Sequence, residues 1–228
     1  FKNFDVRNFS KLGKSNVISS NAILATSHPI ASSVGLEILK SGGNAVDAAI
    51  AMNAVLCIAE PHMTGVGGDC FVMISVDGST NIKALNGSGK SSANSKAKTL
   101  RHKNILSISP EMPDAITIPG AVAAWSLLHK EHGYMPWKEL FNPAIDFAIQ
   151  GVKVHERVAL DWSKNTQKLS LDTDTSSLFL KNGKPYQFMD NFQNKNLSET
   201  FNSIAFEGYD GFYRGWVADD MIKKLKSI

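Results

Sequence analysis

Cysteine is scarce in this sequence, and its scarcity excludes two classes of protein. Only two of the 228 residues are cysteines, Cys57 and Cys70. Two cysteines cannot build the disulfide framework of a small secreted domain, and no Cys and His spacing is that of a zinc site. Both lie in apolar segments, where a free cysteine usually serves as a small buried hydrophobic residue. We therefore predict no metal site and no redox role for either thiol.

Strong charge and long apolar runs are also missing. The 24 basic and 21 acidic residues are spread along the chain and leave a formal charge of +3. This is not the basic footprint of a nucleic-acid-binding protein. No apolar run is long enough to cross a bilayer, and residues 1–20 contain nothing like the core of a secretory signal. We expect no nucleic-acid or membrane partner and favour a cytoplasmic location, with an extracellular or periplasmic one left open for a trimmed chain.

The composition that remains is that of an ordinary globular domain. Hydrophobic residues make up 43% of the chain and charged residues 20%, enough to bury a core. No internal repeat and no linker between independent domains is evident. We therefore treat residues 1–228 as a single domain. Helices packed on an early hairpin predict a layered α/β (α+β) arrangement.

Two consecutive helices open the structured part of the chain. Ser27 is placed to cap a helix over 28–40, which Gly42 and Gly43 would end. Asn44 is placed to cap a second helix, Ala45–Ala59, with Asp47 at the acidic position of a capping box. This second helix is apolar on nearly every face, which predicts burial between layers. We expect too little of this chain to cover it without a further partner.

A hairpin and several helices are predicted downstream. Strands over 70–76 and 81–85 flank the turn Asp77-Gly78. The glycines at 65–68 favour a tight turn before the hairpin over a backbone nest for an anion. The remaining predictions are a loop over 86–112, helices over 121–131, 137–150, 154–168, 199–207 (capped by Ser198) and 212–226, and a short hairpin around 182–183.

Several segments in order are similar to one known family. They are ATSHPIAS at 25–32, GGNAVDAA at 42–49, EPH at 60–62, GVGG at 65–68, PGAVAAW at 119–125, PW at 136–137, PAI at 143–145 and FYRG at 212–215. Together they resemble the large-subunit region of the γ-glutamyltransferase family, also called γ-glutamyl transpeptidases or glutathione hydrolases. The likeness runs from about residue 23 to the end of the chain.

The resemblance implies an N-terminal-nucleophile hydrolase fold, an αββα sandwich of which this chain is the large-subunit part. Such enzymes are precursors that cleave themselves into large and small subunits. The new N-terminal Thr of the small subunit attacks the γ-glutamyl carbonyl, and its own amine is the base. Neither metal nor organic cofactor is implied. The implied partners are the small subunit, which carries the nucleophile, and a γ-glutamyl substrate such as glutathione, with water or an amine as acceptor.

No catalytic residue is assigned to this chain. The family's cleavage segment, a Thr followed by Thr or Ala and then His, does not occur after residue 86. Thr26 precedes Ser27 and His28 in a superficially similar order, but Thr26 matches the family's opening segment. The nucleophile is therefore expected on another chain.

The substrate-binding candidates are Asn86, Ser88 and Lys90. In better-studied members an Arg-Glu pair follows the second strand, and the Arg holds the substrate α-carboxylate. Here Ser88 replaces that Arg and Gly89 the Glu, so the bidentate guanidinium contact is lost. Lys90 is placed either to supply a point charge to the carboxylate or to be an ordinary solvated lysine. This departure resembles a divergent branch and puts glutathione as substrate in doubt.

Two other functions remain open at this stage. Residues 87–91, GSGKS, follow a strand and end like a phosphate-binding loop, although Ala84 stands where that motif has its first Gly. A nucleotide-binding protein is therefore one alternative. The other is a catalytically inactive scaffold that only folds with or binds a partner.

Overall fold

The computed structural model describes residues 16–109 and 112–227. Ten helices and six strands lie within these ranges. In chain order they are α1 Pro29–Lys40, α2 Ala45–Ala59, β1 Cys70–Ile74, β2 Lys83–Gly87, α3 Ala97–His102, α4 Ala121–His132, α5 Asn142–Gln150, β3 Val152–Lys153, α6 Glu156–Leu169, α7 Thr173–Phe179, β4 Leu180–Lys181, β5 Lys184–Pro185, β6 Asn191–Phe192, α8 Lys195–Glu207, α9 Asp210–Tyr213 and α10 Gly215–Leu225. No helix of the described part is long and apolar enough to span a membrane.

The helices α1 and α2 form as the sequence predicts, with one different cap. Asn44 accepts from Val46 and Asp47, and the Asp47 carboxylate accepts from the Asn44 N–H, so the capping box is complete. Ser27, however, does not cap α1. The cap is His28, whose Nδ1 accepts from the Ile30 N–H at 3.3 Å. The Ser27 hydroxyl donates to the Glu60 carboxylate instead.

The predicted hairpin is present, with its second strand two residues later. The strands β1 and β2 pair antiparallel from Cys70 opposite Gly87 to Ile74 opposite Lys83. Asp77 and Gly78 both have positive φ, 53° and 67°, as a tight hairpin turn requires. The region predicted as loop also contains the short helix α3 and one antiparallel bridge between Ser91 and Thr117.

Three of the later helices differ from the prediction in their ends. Residues Trp137–Phe141 form a 3₁₀ turn before α5 begins. The cap of α8 is Asn194, which accepts from the Leu197 N–H, so α8 begins earlier than a cap at Ser198 would allow. The last predicted helix is broken at Arg214, whose extended backbone separates α9 from α10.

The main core surrounds α2 and is built from this chain alone. Ten of the 15 residues of α2 are buried, chiefly by α1, α5 and the 3₁₀ turn at Trp137–Phe141, with α4 adding to them. The expectation that too little of the chain would cover α2 is therefore wrong. The uncovered apolar surface lies on the hairpin instead. Phe71 and Met73, on the side of β1 away from the core, are 69% and 75% exposed.

Candidate functional site

The segment from Asn86 to Lys90, here called the substrate loop, leaves the end of β2 and lies against the start of α4. The Lys90 carbonyl accepts from the Ile118 N–H at 2.9 Å. A Cβ on Gly89 would lie 1.6 Å from the Ile118 carbonyl oxygen, and one on Gly120 would lie 1.9 Å from the Gly87 oxygen. Only glycine permits so close a backbone approach. The alternation of glycines along the loop is thus a packing requirement.

A turn before the hairpin holds the same loop from the other side. Gly65 and Gly68 close this turn through a 3.0 Å hydrogen bond, as the sequence predicts. The Gly68 carbonyl accepts from the N–H groups of both Gly120 and Ala121 at 3.0 Å. Next to it, the Asp69 carboxylate accepts from the Gly89 N–H at 3.1 Å. The turn at 65–69 and the segment at 118–121 therefore fix the backbone of the substrate loop together.

The predicted substrate-binding residues all lie on the open side of this loop. Asn86, Ser88 and Lys90 are exposed, whereas Gly87 and Gly89 between them are partly buried. The Asn86 side-chain oxygen accepts from the Ser88 N–H at 2.9 Å and so stiffens the turn. Within the described residues Lys90 forms no ion pair. Their role in substrate binding stays a prediction.

The geometry does not form a phosphate-binding loop. That motif needs a helix to begin at its Lys and Ser, so that the first N–H groups meet the phosphate. Here Ser91 pairs with Thr117 in an antiparallel bridge, and the next helix begins only at Ala97. The nucleotide-binding alternative is therefore wrong on structural grounds.

Tyr213 holds the start of α4 in place, a role that the sequence does not predict. Its hydroxyl donates to the Pro119 carbonyl at 2.7 Å and accepts from the Ala123 N–H at 3.1 Å. Burial raises the pKa of the Tyr213 phenol, which therefore remains a neutral donor. The segment FYRG contributed to the resemblance, but nothing local in the sequence indicates a contact 94 residues away.

A cavity of about 320 Å³ lies beside the loop, between β1, α2 and α4, and is lined in part by Asn53, Asp69 and Cys70. Burial raises the pKa of both thiols, to about 12 for Cys57, so neither is an activated nucleophile. Cys57 is buried, as predicted, and Cys70 is only partly buried. Among the described residues no group of three or more His, Cys, Asp or Glu side chains is arranged to hold a metal ion.

Thr26 has an evident structural role. Its hydroxyl donates to the His28 carbonyl at 2.7 Å and lies 2.7 Å from the Ser32 hydroxyl. These contacts fasten the chain to the first turn of α1, in line with the assignment of Thr26 to an opening segment rather than to catalysis.

Comparison with known proteins identifies relatives over nearly the whole chain. The family model described as Gamma-glutamyltranspeptidase matches residues 31–228. The chain is 33% identical over 212 residues to the glutathione hydrolase-like YwrD proenzyme of Bacillus subtilis. The aligned region covers 93% of this chain and 40% of that protein. It thus spans well under half the length of that relative.

Two solved structures are also similar. The gamma-glutamyltranspeptidase of Helicobacter pylori superposes with a TM-score of 0.87 at 28% identity, covering 93% of this chain and 62% of that one. The cephalosporin acylase of Bacillus halodurans superposes with a TM-score of 0.85 at 31% identity, covering 96% of this chain and 42% of that one.

Proposed function

Because this chain belongs to the gamma-glutamyltranspeptidase family and has part of the large-subunit region of its N-terminal-nucleophile hydrolase fold, we propose that it serves an enzyme that transfers γ-glutamyl groups to water or amines. The chain is a single domain that supplies the large-subunit portion. The nucleophile is the N-terminal Thr of a small subunit from the same precursor, and no metal or organic cofactor takes part.

The observation that carries this proposal is the substrate loop, held at one edge of a hairpin whose outer face is uncovered among the described residues. Its backbone is fastened by Asp69, Ile118 and the start of α4, while its side chains remain open. Phe71 and Met73 form an apolar face on the same hairpin that no described residue covers. A small subunit seated on that face would bury it and bring its nucleophile to the loop.

Within this site Lys90 contacts the α-carboxylate of the substrate, and Ser88 and Asn86 line the same edge. Lys90 is a point charge rather than a bidentate fork, so the contact is less directional than one made by Arg. A charge-assisted hydrogen bond of this kind contributes about 1.5–3 kcal/mol, which corresponds to roughly one to two decades in affinity.

The test is the Lys90→Ala variant of the complete protein, assayed with γ-glutamyl-p-nitroanilide. We expect KM to rise about 10–100-fold with little change in kcat, because the lost contact is uniform binding. The effect should shrink for 4-aminobutyryl-p-nitroanilide, which lacks the α-carboxylate. Lys83→Ala, at an exposed lysine on the strand that leads into the loop, is the matched control and should change neither constant. Equal losses for both substrates would contradict the assigned contact.

The replacement of an Arg-Glu pair by Ser88 and Gly89 favours a second candidate, an amide hydrolase for acyl groups other than γ-glutamyl. The similarity to the cephalosporin acylase of Bacillus halodurans supports such a range. Turnover of glutaryl-p-nitroanilide faster than the γ-glutamyl compound would favour this candidate. If the complete protein turns over neither compound and intact-mass analysis finds no second polypeptide beginning with Thr, the inactive scaffold is the remaining reading.

A further inference from the structure

A larger cavity, of about 710 Å³, lies where the end of α2 meets the first turns of α1 and α6. We call it the Glu60 pocket. Its polar lining includes Ser27, His28, Glu60, His62, His155 and Asp161. It shares no lining residue with the cavity beside the substrate loop. Its volume lies within the range of small-molecule sites.

Glu60 is a buried carboxylate that forms no ion pair with the residues the structure describes. It is 8% exposed, and its Oε2 accepts from the Ser27 hydroxyl at 2.5 Å. No ion pair among the described residues reaches it, because the nearby Arg157 is bonded to Asp161 at 2.6 Å. A buried charge that lacks a partner is costly. A cation entering the pocket would remove that cost.

Two histidines add ring nitrogens that have no hydrogen-bond partner in the described part of the chain. Nδ1 of His28 accepts from the Ile30 N–H, so in the neutral ring the proton lies on Nε2, which is buried and unbonded. Burial, and then the neighbouring His155, lower the pKa of His28 and favour this neutral form. His62 directs Nε2 to Asp161 at 3.3 Å, and its Nδ1 is likewise buried and unbonded.

The charge around the pocket also favours a cation. Glu60, Asp161 and Glu156 face a single permanent cation, Arg157, which is already engaged. The side chains do not form a metal cage, since no group of three ligands is arranged for a metal in the described ranges. An organic cation therefore fits the pocket better than a metal ion does. The unbonded His28 N–H calls for a hydrogen-bond acceptor on the same molecule.

We propose that the Glu60 pocket binds a small molecule that carries a primary ammonium group next to a hydrogen-bond acceptor, as free amino acids and the N-termini of short peptides do. The ammonium group pairs with Glu60. The acceptor receives the Nε2 proton of His28. The start of α6, which lacks a side-chain cap, has free N–H groups available for a carboxylate at the same end.

The experiment is calorimetric titration of the complete protein with three ligands. L-alanine carries both an ammonium group and a carboxylate, putrescine carries only ammonium groups, and propionate carries only a carboxylate. We expect L-alanine binding to include a component that weakens at least tenfold in Glu60→Gln. This substitution keeps the shape of the side chain and an oxygen for Ser27. The matched control is Glu37→Gln, at an exposed carboxylate on α1, which should keep the component and thereby discount any amino-acid binding elsewhere.

Because amines can also bind as acceptors under the proposed function, only the component that a Glu60 variant weakens is assigned to the Glu60 pocket. If Glu60→Gln does not fold, Glu60→Asp, which keeps the charge but shortens its reach, takes its place. Stronger binding of L-alanine than of propionate supports the proposal. Binding of putrescine as tight as that of L-alanine would show that the acceptor contact with His28 contributes nothing and would overturn the proposal. Equal binding of L-alanine and propionate, equal L-alanine binding by folded Glu60→Gln and Glu37→Gln, or no L-alanine binding at millimolar concentrations would overturn it.

Discussion

Asp47 provides the sharpest test of how this fold is held together. Its side chain is fully buried, and its carboxylate accepts from three backbone N–H groups: those of Asn44 at 2.9 Å, Tyr134 at 3.1 Å and Met135 at 3.1 Å. The residue thus completes the cap of α2 and also fastens the segment after α4 to it. Asp47→Ala would leave all three donors without a partner.

The expected loss of stability follows from that count. A buried donor left unsatisfied costs about 1–3 kcal/mol. Because Tyr134 is exposed and water can reach its N–H, we count only the donors of Asn44 and Met135 and expect a loss of about 2 kcal/mol or more. Asp47→Asn keeps one acceptor oxygen and should lose an intermediate amount. Asp146→Ala, at an exposed carboxylate on α5 with no hydrogen bond in the described structure, is the matched control and should change stability by less than about 0.5 kcal/mol.

Urea unfolding of the complete protein, followed by tryptophan fluorescence, measures the effect, because Trp137 lies close to the segment that Asp47 holds. A loss below about 1 kcal/mol for Asp47→Ala would refute the reasoning. It would mean that water replaces the carboxylate at all three donors.

Three further outcomes are expected. Gly120→Ala places a Cβ 1.9 Å from the Gly87 oxygen and should lower the melting temperature of the protein and raise its KM for γ-glutamyl-p-nitroanilide. Gly67→Ala, whose Cβ would meet nothing within 4 Å, should change neither quantity. Hydrogen bonds from Lys224, and then from Thr175, lower the pKa of Asp172 to about 2. The stability that Asp172 contributes is therefore present above the unfolded pKa of 3.8 and is lost as pH falls from about 4 towards 2. Asp172→Asn should flatten the plot of unfolding free energy against pH in that window, whereas Asp219→Asn, at an exposed carboxylate, should not. Iodoacetamide followed by peptide mass mapping should label Cys70 slowly and leave Cys57 unlabelled until unfolding, because burial raises the pKa of Cys57 to about 12; native labelling of Cys57 would contradict its burial.

The sequence by itself determined the elements whose signals are local. The bounds of α2, its capping box at Asn44 and Asp47, and the hairpin turn at Asp77 and Gly78 all depend on residues within a few positions of one another. The family and its fold were also recognisable, because the motifs lie in order along the chain. Competing cap residues were harder to separate. Ser27 and Ser198 each have the right chemistry, but the backbone entering α1 and α8 places His28 and Asn194 at the caps.

Tertiary structure decided the contacts that join distant segments. The sequence placed Asn86, Ser88 and Lys90 on one loop, yet only the packing of Ile118 and Gly120 against that loop decides which side of it stays open. The same holds for the contacts of Tyr213 with Pro119, of Asp47 with Tyr134 and of Ser27 with Glu60. Such contacts form when apolar helices pack and bring chosen backbone and side-chain groups together. No short window of sequence carries the information that pairs residues about 90 positions apart.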